Sequence, residues 1–121
     1  MGTREIELLL EKKRGFIETA VVLCREENML IKLKAFEKTG VVDAKKNSVI
    51  QSLIAVDMEL VPAVKSSRLI SENAKQIIEN INSSLNDLIK LEKENEVLIT
   101  QAGDSISGKY IDSYKTYKRL K

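Results

Sequence analysis

The chain has 121 residues, 43% hydrophobic and 31% charged, with a formal net charge of +2, one proline, five glycines and no histidine. That length fits one domain, and a composition rich in helix formers and poor in turn residues points to long helices rather than strands. Twenty basic residues against 18 acidic ones make a surface too evenly charged to bind nucleic acid as a whole, and the single cysteine, Cys24, excludes an internal disulfide.

The first predicted helix runs over residues 3–38, with Thr3 as its N-cap. Two seven-residue series lie side by side in it: Leu9, Phe16, Leu23, Leu30, and Leu10, Ile17, Cys24, Ile31. Residues seven apart nearly superimpose on a helix, so these side chains form one broad apolar stripe. Ile6 and Ala20 widen it, and Lys13 and Glu27 interrupt it. Gly40 reads as a C-terminal stop and Asp43 as the next N-cap.

A second, shorter helix carries Val49, Ile50, Leu53, Ile54 and Val56. Pro62 is expected to stop or kink it, with the turn at residues 60–61 or 66–67. Ser66, Ser67 or Ser71 then caps the third helix. That helix, over about residues 67–102, has the clearest pattern: Ile70, Ala74, Ile77, Ile81, Ser84, Leu88, Leu91, Asn95, Leu98 and Ala102 recur in steps of four and three. A flanking series of Ile78, Leu85 and Ile99 is broken by Glu92, and Gly103 ends the helix. The expected fold is therefore all-α: an elongated antiparallel three-helix bundle over 1–103 with coiled-coil-like packing, two long helices and one shorter.

Residues 104–121 form a basic, amphipathic C-terminal segment. All three tyrosines of the chain fall here, and Ile106, Tyr110, Tyr114 and Tyr117 share a face if the segment is helical. Ile111 and Leu120 lie near that face, and the other side carries five basic residues against Asp112. Two readings stand. The tyrosines pack back on the bundle end, or they dock on a partner, burying large area with few rotors to freeze. A membrane or nucleic-acid contact through the basic side is a lesser third.

Little in the chain suggests catalysis. Without histidine there is no Ser-His-Asp or Cys-His arrangement, and one cysteine makes no ordinary zinc site. The glycines are too scattered for a phosphate loop. The carboxylates of "EKKR" and "LEKENE" read as exposed helix faces, and Cys24 reads as an inert core thiol. No catalytic, cofactor-binding or metal site is expected. The longest apolar run, residues 20–24, is far below a membrane span, so the expectation is a cytoplasmic protein without membrane insertion.

Asn95 occupies a seam position in "LIKLEKENEVLI". On its own it reads as a register-setting polar residue, as buried asparagines do in coiled coils. With Leu88, Leu91, Leu98 and Ile99 around it, and Lys46 preceding Val49, Ile50 and Leu53, the chain resembles the FlgN family of flagellar export chaperones over residues 6–102. The second leucine of that family's third-helix motif is Ile99 here. The resemblance implies a cytosolic, non-enzymatic chaperone that keeps hook-filament junction subunits unpolymerised before export. The residues expected to meet a helical partner are Leu98, Ile99, Ile106, Tyr110, Ile111, Tyr114, Tyr117 and Leu120. The alternative is a structural coiled-coil protein that closes its apolar stripes by self-association.

Overall fold

The computed structural model describes residues 3–67 and 69–102. Three helices make up the fold: α1 (Thr3–Lys32), α2 (Thr39–Ser66) and α3 (Glu72–Ala102), with a single 3-10 turn at Phe36–Lys38. At 1.5 Å per residue each α-helix is roughly 45 Å long. The expected all-α bundle is what forms, but α2 has 28 residues against 30 and 31 for its neighbours, so the middle helix is not the short one.

The stripe of α1 is the centre of the core. Leu9, Leu10, Ile17, Leu23, Cys24 and Ile31 are buried as the spacing predicts, while Phe16 and Leu30 are half-buried. Leu9, Leu10, Ile17 and Cys24 cluster with Ala74, Ile77, Ile81 and Leu88 of α3 on one side and Ile50, Leu60 and Ala63 of α2 on the other. Cross-links run in order along the bundle. Lys13 pairs with Asp57, Glu27 with Lys46, and Lys32 with Glu94. α1 and α3 are therefore parallel, and α2 runs against both.

The first turn falls earlier than the sequence suggests. Lys34 adopts φ 58°, the amide of Ala35 donates to the Leu30 carbonyl at 2.9 Å, and that of Lys34 donates to Ile31 at 3.0 Å. This pair of bonds is a Schellman stop, usually built on glycine, and a lysine in the left-handed region costs about 1–2 kcal/mol. Gly40 consequently lies in the first turn of α2, and Asp43 is a buried helix residue rather than an N-cap.

Pro62 does not end α2, which continues to Ser66. Its missing N–H takes one donor from the Met58 carbonyl, and both residues face open space, so the helix tolerates the loss. The cap of α3 is Ser71, whose hydroxyl accepts from the Ala74 amide at 3.0 Å and donates to Glu7 Oε1 at 2.6 Å. The bonds from Ser71 and Asn73 hold the Glu7 carboxyl below its usual range.

Candidate partner-binding groove and buried charge cluster

α1 packs against both other helices, yet no Cα of α2 lies within 8 Å of a Cα of α3 among the described residues. The two outer helices splay apart and leave a groove of ≈ 780 Å³ whose floor is α1. Ile17 and Ile50 form the bottom. Leu53, Ile54, Met58, Val61 and Pro62 make the α2 wall, and Leu85 and Ile89 the α3 wall. Asn82 and Asn86 stand on the α3 rim, and the Lys13–Asp57 ion pair at 2.9 Å crosses the α1–α2 side.

The groove is apolar because α2 carries apolar side chains around much of its circumference. One set packs on α1, while Met58 remains 74% exposed and Val61 49%. By length and composition alone, the stretch Phe36–Ser66 would suffice to cross a membrane. In this fold that apolarity lines the groove instead.

Beside the groove, towards the α1 C-terminus, the three helices meet at a buried charge cluster. Lys46 of α2 places its ammonium 2.7 Å from Glu92 Oε1 of α3 and 3.2 Å from Glu27 Oε1 of α1. Glu27 and Glu92 are 0% and 1% exposed, and Lys46 4%. The Cys24 thiol donates to Glu92 Oε1. Asn95 Nδ2 donates to the Cys24 carbonyl and to Glu27 Oε1, both at 3.0 Å, and Asn28 donates to Asn95 Oδ1 at 2.8 Å.

The ammonium of Lys46 thus sits between two carboxylates, where a cation would sit in a metal site. Among the described residues no group of His, Cys, Asp or Glu is arranged to hold a metal ion. Glu92 belongs to "LEKENE", so that stretch is not uniformly an exposed face. Glu27 does not merely interrupt the α1 stripe; it completes the seam through Lys46.

Asn95 is buried in the seam, with its amide bonded to α1. Ile99 is buried against Ile31 beneath Leu98 and Phe36, sealing the bundle end, so partner contact through Ile99 requires that end to open. Ile106, Tyr110, Ile111, Tyr114, Tyr117 and Leu120 lie outside the described residues. The groove escaped sequence reading because periodicity assigns a face to each helix but not the distance between two helices. The charge cluster did leave a signal: Glu27, Lys46 and Glu92 are opposite charges set into apolar series on three helices.

Burial pushes the Cys24 thiol far above its ordinary 9.0, with Lys46 opposing and the charge and hydrogen bond of Glu92 adding to the rise. Burial of Lys46 works against its ammonium, but Cys24 and the carboxylates of Glu27 and Glu92 outweigh it and raise Lys46 above its usual range. In both cases the folded state keeps a proton that the unfolded chain gives up. The stability from these groups is therefore complete below about pH 8.5 and falls as pH rises, by about 1.4 kcal/mol per pH unit for each group titrating. Urea midpoints are expected to hold steady to about pH 8.5 and drop beyond it, and Cys24→Ala should delay the drop to about pH 10.5. An identical profile in the two proteins would remove Cys24 from this account.

Comparison of the chain with protein-family models, curated proteins and solved structures returns no match.

Proposed function

We propose that this protein is a non-enzymatic helix-binding chaperone or adaptor. In this reading it works as the FlgN kind of export chaperone does, in the cytoplasm on hook-filament junction subunits before secretion. The observation that carries this reading is the open apolar groove between α2 and α3. A helix has a ≳ 100° apolar stripe to bury, and a third helix-facing surface bounded by two helices is the form in which amphipathic helices are taken up. The resemblance around Lys46 and Asn95 supports the chaperone reading, since those residues help hold the α1–α2–α3 register that shapes the groove.

The test is solution mass, alone and with a purified hook-filament junction subunit. The expected result is a monomer that becomes a one-to-one complex, weakened at least tenfold by Leu53→Glu in the groove wall. A concentration-independent dimer that ignores the subunit would overturn the proposal in favour of self-association.

A further inference from the structure

The groove walls are not wholly apolar, and their polar atoms set terms for what can lie against them. Resting on the helix-binding reading of the groove, we propose that the helix it takes carries uncharged donor side chains, amides or hydroxyls, beside its apolar stripe. One of these donors bonds to the backbone carbonyl of Met58.

Pro62 creates that acceptor. In an α-helix the carbonyl of residue 58 takes the amide hydrogen of residue 62, and proline has none. The proline ring stands against that same carbonyl. Met58 and Pro62 both line the groove, so the oxygen opens on the α2 wall. Water serves such an oxygen while the wall is open to solvent. A helix laid over Leu53, Met58 and Val61 drives the water out, and a backbone carbonyl covered without a donor weakens binding several-fold. A purely apolar helix leaves the carbonyl in that state; a helix with an amide or hydroxyl at its edge does not.

The opposite wall favours the same chemistry. Asn82 and Asn86 lie one turn apart on the exposed α3 rim, each offering both a donor and an acceptor. A charged flank, by contrast, finds nothing to pair with. Among the described residues the lining holds one cation and one anion, Lys13 and Asp57, and these already bond each other at 2.9 Å. A lysine or glutamate at the edge of the incoming helix therefore loses hydration beside apolar side chains and gains no counter-ion. The α2 wall from Ile50 to Pro62 is roughly 18 Å long, which about three helical turns fill.

The probes are stapled helical peptides of about 14 residues, enough to cover the wall. They share one apolar stripe bearing a single tryptophan and differ in their flanks: glutamine, lysine, glutamate or methionine. The chain has no tryptophan, so tryptophan emission reports the peptide alone. The glutamine peptide is expected to bind about tenfold tighter than the lysine and glutamate peptides. Its affinity should change less than about twofold between about 50 and 500 mM NaCl. Pro62→Ala returns a helical donor to the Met58 carbonyl, so it should raise the urea midpoint yet weaken the glutamine peptide by about fivefold. The methionine peptide, which has no donor on its flanks, should bind parent and variant alike. Equal or tighter binding of a charged peptide would overturn the proposal. So would an unchanged glutamine affinity in Pro62→Ala, or a loss that the methionine peptide shares, which marks a change of groove shape instead. A junction subunit that forms a Leu53→Glu-sensitive complex while the peptides show no preference sinks this inference alone. No complex with the subunit or with any peptide sinks the helix-binding reading as well.

Discussion

Lys46→Met is expected to destabilise the bundle by about 3–5 kcal/mol at neutral pH, because it removes the ammonium from between two buried carboxylates. Against a total stability of about 5–15 kcal/mol for an ordinary domain, that loss is enough to leave part of the population unfolded. Methionine fills most of the lysine stem's volume, so the effect is electrostatic rather than a cavity. Glu92 shows why the cost is high. Its Oε1 takes the Lys46 bond, and its Oε2 has no hydrogen-bond partner among the described residues. Without the ammonium between them, two like charges face each other out of water, where nothing screens their repulsion. Urea melts of the parent and variant at pH 7 test this. A deficit below about 1 kcal/mol at pH 7 would mean that Glu27 and Glu92 reach solvent in the folded state.

How much of this was legible follows from what periodicity encodes. Ile17, Leu88 and Ile99 could be placed in the core from spacing alone, since a helix has one apolar face and must bury it. The stop of α1 could not, because its signal is a left-handed Lys34 where glycine is the usual residue, and Gly40 nearby offered a more conventional choice. Pro62 misled for a related reason. Its penalty applies to a helix interior with no alternative, whereas here it lies on an exposed, groove-facing turn. The lysine-rich neighbours of Glu92 point to solvent, whereas its position seven residues after Leu85 and seven before Ile99 places it in the seam, in line with Glu27 and Lys46 on the other two helices. The splay between α2 and α3, which makes the groove, depends on side-chain packing across three helices and has no linear signature.

The second large effect comes from removing the cluster entirely. Glu27→Leu, Lys46→Met and Glu92→Leu together are expected to leave the protein within about 1 kcal/mol of the parent or up to a few kcal/mol more stable, although Lys46→Met alone is severe. Three apolar side chains bury without the desolvation that the charges suffer, and no carboxylate is left without its counterion. Two debits remain: Asn95 loses the Glu27 acceptor but keeps the Cys24 carbonyl, and the Cys24 thiol loses the Glu92 acceptor, together a loss of about 1–2 kcal/mol. Such strong non-additivity is the mark of groups acting as one unit, and a double- and triple-variant cycle by urea denaturation measures it. If the triple variant were as unstable as Lys46→Met, the cluster would be a net source of stability and the desolvation argument would fail. The expected outcome assigns it another role. The seams of α1 and α3 are largely leucine and isoleucine, which specify register only weakly, while Lys46 reaches both Glu27 and Glu92 in a single register. With the charges gone, hydrogen exchange at the α1–α3 seam should become faster and less uniform even at equal or greater stability, because the bundle then chooses among packings that the charges had excluded.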